Sequence, residues 1–489
     1  MTIVSGVQTR HRRGDGDTDE DARRRDHRLG FADQTEEVRL DSVPVTGEVP
    51  AWLHGGLIRV TPAQMDFAKR SVSHWFDGLA MLNRFGFDGS GGVSYASKFL
   101  DTDARRRALE TGGSSIAGFA TDPCRTLFQR VQSVFSPEST DNTNVNLSKL
   151  GDEYLAMTET PLAVTFDPES LETLRADREE ARFGQTTTAH PHLDAGTREF
   201  INFSAHFGPR SEYKVYARSG AASARMIASM PVREPSYMHS FALTPRYVVL
   251  IENPLVVNPI KLALGGRAFI HNYVWKPELG VRVHAFDRRT GAPARSWVAD
   301  PFFVFHTINA FEDGDDLVVD LCAHEDASII EMLELDRLRA GEHHSDMAAR
   351  PVRLTLRAGS GRAESRELAD VDLELPRINY RRFNGLPYRY AYGGSASGEA
   401  FLKRLVKIDV RDGSFVAWEE PQAWAGEPVF VPRPGADAED DGVVLSVVLD
   451  VAAGRSFLLV LDAASFTEIA RAEAPHHIPF GFHGQFFSA

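Results

Sequence analysis

The chain has 489 residues, 43% of them hydrophobic and 25% charged, and a formal net charge of −14. These are the proportions of a globular protein, and the negative balance excludes a nucleic-acid binder working by bulk charge. Cys124 and Cys322 are the only cysteines, which excludes a disulfide framework and a cysteine-rich metal site. Any bound metal falls to carboxylates and the 17 histidines.

Residues 1–29 mix both charge signs with glycine and few aliphatics, so they are expected to form a disordered tail ahead of one folded unit, 30–489. They lack the apolar core of a secretory leader. No run of about 18 apolar residues suited to crossing a bilayer occurs. The expected address is cytoplasmic.

Beyond the tail one pattern recurs. An alternating apolar run ends in Asp, a turn follows, and a second strand returns. It appears at Asp88, Asp167, Asp287, Asp336, Asp409 and Asp462, with a weaker copy around Ala217 that lacks the Asp. Alternation closed by a Gly, Asp or Ser turn signals a hairpin. Seven copies at spacings of roughly 50–80 residues match a four-stranded blade plus a connection. EYLAMTE, REFINFSA, YVVLIENP and DDLVVDLCA supply further strands. The length thus reads as one all-β, seven-bladed propeller. Two stretches break the pattern, 122–135 with helical spacing and the Gly-interrupted apolar 253–275. Either they pack as a helical and loop cap over the propeller face, or they lie in a membrane surface.

Four histidines stand beside apolar strands in different repeats: His190 in TTTAHPHLD, His239 in PSYMHSFALT, His306 in PFFVFHTINAFED and His483 in PFGFHGQFF. A propeller axis is where strand starts converge, so the fold permits four imidazoles on one ion. His192 competes with His190, and His74, His476 and His477 are further candidates.

HWFDGLAML (74–82), YLAMTET (154–160), TAHPHLD (188–194), PSYMHSFALTP (235–245), FHTINAFED (305–313), VDLCAH (319–324), ELPRINY (374–380), GEPVFVPRP (426–434), DDGVVLSVV (440–448) and IPFGFHGQF (478–486) form an ordered set. With it the chain resembles the carotenoid cleavage oxygenases, in particular their animal-type branch, over about residues 30–488. The resemblance implies that His190, His239, His306 and His483 bind Fe(2+) octahedrally with two open positions. It implies three supporting carboxylates, Glu159 for His239, Glu374 for His306 and Glu427 for His483, with His190 left without one. Thr158 matches the family's threonine crowding one open position, and Phe305 is the best candidate for lining the cavity.

The implied reaction is O2-dependent cleavage of a carotenoid or apocarotenoid C=C bond into two carbonyl products, with symmetric cleavage of β-carotene to retinal favoured. The alternatives are a stilbene or aryl-alkene cleaving dioxygenase, for which Lys98 and Tyr95 are candidate phenol-binding donors, and a non-oxidative retinoid isomerase. The substrate lives in bilayers, so contact with a membrane surface through 122–135 and 253–275 is expected, and no nucleic-acid partner is. The chain departs from the family at RVTPAQM (59–65), a stretch near the cavity in relatives.

Overall fold

The computed structural model describes residues 27–122, 140–194, 196–220, 223–264, 267–341 and 348–489. Seven antiparallel sheets of four to six strands, plus one two-stranded pair, follow each other along the chain. Blade I joins His54–Gln64, Leu79–Asp88 and Val93–Phe99 to the C-terminal strand Gly484–Ser488. Blade II runs from Asn146–Leu150 to Thr173–Asp177 and blade III from Thr186–Thr187 to Ala224–Val232. Blade IV runs from Ala242–Leu243 to Pro293–Ala299, blade V from Phe303–Asp313 to Glu364–Glu367 and blade VI from Glu374–Arg377 to Phe415–Trp418. Blade VII runs from Ala423–Ala425 to Thr467–Glu473.

The ring closes at both ends of the chain. Gly484–Ser488 is the innermost strand of blade I, paired through Arg59↔Gly484, while Val45–Gly47 adds to the outer edge of blade VII through Val45↔Ala472. Closure leaves only short outer edges and brings residues from the end of the sequence to the axis beside those of blades III to V.

The repeated Asp marks the outer hairpin of five blades, and the reason is local. Its carboxylate accepts the N–H groups of the turn that follows: Asp88 those of Ser90 and Gly92, Asp167 those of Glu169 and Ser170, Asp287 those of Arg289 and Thr290. Asp409 and Asp462 act likewise on Arg411 and Ser465. The weaker copy around Ala217 is also an outer hairpin, Ser211–Arg218 with Ala224–Val232. The copy at Asp336 is not. Residues there form two short helices, Ser328–Met332 and Leu335–Ala340, whose Ile329, Ile330, Leu335 and Leu338 are buried at helical spacing. The outer hairpin of blade V is Arg350–Leu356 with Glu364–Glu367, whose outermost strand is exposed throughout and carries no apolar alternation.

These two helices cap one end of the axis together with Asp103–Thr111 and Pro259–Leu264. Beneath them an aromatic cluster containing Phe31, Trp75, Phe401, Phe480 and Phe482 packs largely edge to face. The expected tail must be shortened accordingly. His27–Phe31 form a turn of 3-10 helix in which His27 and Phe31 are wholly buried, because the aromatic cluster needs Phe31. Residues 1–26 lie outside the described residues, as do 123–139, which hold most of the expected helical stretch 122–135 and Cys124. The stretch 253–275 is not one helix. Leu255–Val257 pairs with Tyr273–Trp275, and the short helix Pro259–Leu264 lies between them.

Candidate metal centre

The four histidines come from the innermost strands of four blades or the residues just before them. His190 sits where the inner strand of blade III is interrupted. Thr187 pairs with Ser204 and His192 with Ile201, so extra residues bulge toward the axis. The Thr188 hydroxyl accepts the His190 N–H at 3.0 Å and donates to the His239 carbonyl, and Asn202 holds the Thr188 carbonyl at 3.1 Å. His306 lies in a bulge of Phe303–Asp313, between Val304↔Ala323 and Thr307↔Leu321. Asn253 ties the His239 and His306 segments together, donating to the carbonyls of Tyr237 and Val304 and accepting the Val304 N–H, each at 3.0 Å. His483 immediately precedes the closing strand.

One ring nitrogen from each of His190, His239, His306 and His483 lies within 4.8 Å of the others, a group that could hold a metal ion. The second nitrogen of three of them meets a carboxylate. His239 Nδ1 is 2.6 Å from Glu159, His306 Nδ1 is 2.5 Å from Glu374 and His483 Nδ1 is 2.7 Å from Glu427. Among the described residues no carboxylate partner is recorded for His190. Glu374 also sits at a bulge, between Glu374↔Gly394 and Arg377↔Tyr392, with Leu375 at φ 50° beside it.

The donor set fits a cation. Burial alone would raise the Glu374 and Glu427 carboxyls. His306 and His324 around the first, and Arg377, His483 and Arg59 around the second, outweigh it and hold both well below the usual carboxylate range. As acceptor-only anions they take the single N–H of each neutral imidazole at Nδ1. His306 and His483 then face each other with bare Nε2 lone pairs 3.2 Å apart, and His190 and His239 approach to 3.0 Å. A shared proton would relieve this, but burial pushes His306 down, and His483 down to about 3 against the pull of Glu427. Burial and the neighbouring imidazoles push His190 well below its ordinary value. A metal ion held by the four ring nitrogens would satisfy these lone pairs. Four imidazole nitrogens suit iron, zinc and copper alike.

Three of the competing histidines make contacts elsewhere. His192 bonds the Phe241 carbonyl and is approached by Tyr380 and Asn384; His476 bonds the His477 carbonyl. His74 is fully buried, with Nε2 on the Ile330 carbonyl at 2.9 Å and Nδ1 accepting the Phe76 N–H at 3.1 Å. Burial lowers it to about 4. Below pH 6.5 the unfolded chain gains a proton that the native His74 refuses, so its contribution to stability is complete above 6.5 and lost as pH falls toward 4. We expect about 3 kcal/mol to be lost over that window from this group. Urea unfolding at stepped pH should show a shallower acid slope for His74→Gln than for the parent.

A cavity of about 1020 Å³ is lined by three of the four histidines, His239, His306 and His483. Phe76, Phe119, Phe305, Phe482 and Tyr237 form an aromatic wall, with Phe305 5.3 Å from the His239 ring and Phe76 5.9 Å from Phe305. Thr158 also lines it, next to Glu159. Lys98 and Tyr95 do not, so neither can bind a substrate phenol there. Lys98 pairs with Glu172 on an outer strand at 3.0 Å, and Tyr95 is buried in blade I, donating to Asn83 at 2.8 Å. None of residues 59–65 is a lining residue. Arg59 instead reaches Glu427 from behind at 3.4 Å.

Four supporting contacts were not assigned from sequence. Tyr237 donates to Glu159 at 2.9 Å, Arg377 to Glu427 at 2.8 Å and His324 to Glu374 at 3.0 Å, while Asn253 ties two blades. Tyr237, His324 and Arg377 lie inside the motifs already singled out, which was the available signal.

The family model described as retinal pigment epithelial membrane protein matches residues 31–488. The chain is 35% identical to the human mitochondrial carotenoid-cleaving dioxygenase, over 91% of this chain and 88% of that protein. It is 32% identical to mouse β,β-carotene 15,15'-dioxygenase, over 90% and 88%. Among solved structures, the cobalt-substituted Synechocystis apocarotenoid oxygenase superposes with a TM-score of 0.85 at 26% identity, over 95% of this chain and 99% of that one. With a seven-bladed propeller and four axial histidines already in place, a match over nearly the whole chain settles its kinship: the protein belongs to the carotenoid oxygenase family.

Proposed function

We propose that the protein is a non-haem Fe(II) dioxygenase that cleaves one C=C bond of a carotenoid or apocarotenoid with O2, giving two carbonyl products. The observation that carries this reading is the four-imidazole group, three of whose members line a large aromatic cavity, in a chain whose relatives are named for carotenoid cleavage. His190, His239, His306 and His483 would hold the iron. When bound, ferrous iron supplies the one-electron chemistry that lets O2 react with a closed-shell alkene. The chain supplies the rest. Glu159, Glu374 and Glu427 keep a proton on each Nδ1 and so present Nε2 as the donor atom. Phe76, Phe305 and Phe482 bind an apolar polyene above the histidines and exclude water, and Thr158 narrows the space beside them. One C=C and one O2 become two C=O, so the balance needs no proton, hydride or external reductant, and no acid or base residue is assigned. Symmetric cleavage of β-carotene to retinal is the favoured outcome.

The test is anaerobic loading with Fe(II), followed by O2 with β-carotene, an apocarotenal or a hydroxystilbene. Two aldehydes from a carotenoid or apocarotenoid support the reading. Turnover of the stilbene alone contradicts it.

The reading includes collection of substrate from a membrane surface. Pro259, Leu262 and Phe269 line the cavity yet are partly exposed, so the cavity meets the surface there, and Ile260 (66% exposed) stands outward beside them. Ile260→Ser is expected to weaken liposome binding about tenfold or more, the worth of one aliphatic side chain leaving an apolar phase at about 1.5–3 kcal/mol. A flotation assay checks this, and turnover of detergent-dispersed apocarotenal should not change.

A further inference from the structure

His324 closes the strand Asp316–His324 of blade V, the second strand from the axis, and is almost fully buried against the rings of Phe303 and Phe305. Its Nε2 lies 3.0 Å from Glu374 Oε1. Its Nδ1 is buried with no hydrogen-bond partner. An apolar side chain would fill such a place without the cost of about 1–3 kcal/mol that an unsatisfied buried acceptor carries. Among the described residues the imidazole's one hydrogen bond is the one to Glu374, and the residue also lines the cavity. The carboxylate accepts only, so the bond fixes the tautomer: Nε2 carries the proton and Nδ1 is bare.

Glu374 consequently accepts three N–H groups. These are His306 Nδ1 at 2.5 Å and the Leu375 amide at 2.8 Å on one oxygen, and His324 Nε2 on the other. The other two carboxylates are anchored differently. Glu427 is held by Arg377, Arg59 and the Gly484 amide, and Glu159 by the Tyr237 hydroxyl. Among the described residues only His324 grips the far oxygen of Glu374. Without it the carboxylate is free to turn about its terminal torsion, a broad, two-fold barrier, and the His306 ring loses its fixed orientation.

We propose that His324 is a positioning residue for the metal centre, locking Glu374 so that Glu374 orients His306. The proposal rests on the reading of the four histidines as a metal site and goes one residue beyond the carboxylates. Two apolar variants, His324→Leu and His324→Phe, guard against one of them failing to fold, and His324→Gln restores an amide donor. Each is titrated with Co(II) and followed by visible absorption, a readout independent of turnover. Both apolar variants should raise the Co(II) dissociation constant about tenfold, while His324→Gln stays near the parent. In a Glu374→Gln background, His324→Leu should have little further effect, because the two act as one unit. Parent-like affinity in the apolar variants, an equally weak Gln variant, or additive losses in the double variant would overturn the proposal. A parent that takes up no Co(II) fails the metal reading itself, which keeps the two outcomes apart.

Discussion

His306→Ala is expected to leave a folded protein with no measurable carotenoid turnover and little bound iron. The residue lies among the four axial histidines, its ring within 5.2 Å of those of His190, His239 and His483. It also sits in an eleven-residue inner strand whose ladder to Asp316–His324 does not depend on the imidazole. The loss of metal affinity should exceed the factor of about 10–100 that an outer hydrogen-bond partner is worth, since a donor atom itself is removed. Iron content by plasma emission, together with circular dichroism to establish folding, checks this. Normal iron content with surviving activity would mean that the axial histidines are not the site.

The second large effect concerns Glu427, and it separates stability from metal binding. Glu427 is completely buried and meets two guanidinium groups, Arg377 at 2.8 Å and the equally buried Arg59 at 3.4 Å, besides His483 and the Gly484 amide. Glu427→Gln removes the only carboxylate recorded against either arginine among the described residues. Breaking a buried pair in this way costs about 3–5 kcal/mol, so the metal-free variant should unfold at clearly lower urea. Its metal affinity should fall about 10–100-fold as well. Glu159→Gln provides the contrast. Glu159 faces His239 and the neutral Tyr237 hydroxyl, so it should show the loss of affinity with little loss of stability. Equal urea midpoints for the two variants would contradict this division.

How much of this was legible in the sequence depends on whether the signal is local. The outer hairpins were readable because an Asp that accepts the N–H groups of its own turn repeats at five of the seven, and because apolar alternation flanks it. The same rule misleads at Asp336, where the residues around the Asp are helical and bury Leu335 and Leu338, and it misses the polar outer strand Glu364–Glu367. The four histidines stood out by their apolar surroundings, although spacing alone left His192 and His74 in contention. Nothing local marks the carboxylates. Glu159, Glu374 and Glu427 lie 80, 68 and 56 residues from the histidines they serve, and only the family resemblance suggested those pairings. Contacts made behind the carboxylates, such as Arg59 to Glu427 across 368 residues and His324 to Glu374, arise from ring closure and blade packing. A single sequence does not express these as a pattern.

The most direct test of the central claim is a single turnover of the iron-loaded protein with β-carotene or an apocarotenal under 18O2 in ordinary water, quenched at once with borohydride so that the product oxygens cannot exchange. Mass spectrometry of the two alcohols then reports where the oxygen came from. One 18O atom in each product is the result expected of a dioxygenase. A product whose oxygen comes from water, or a polyene recovered isomerised but uncleaved, would contradict the assignment.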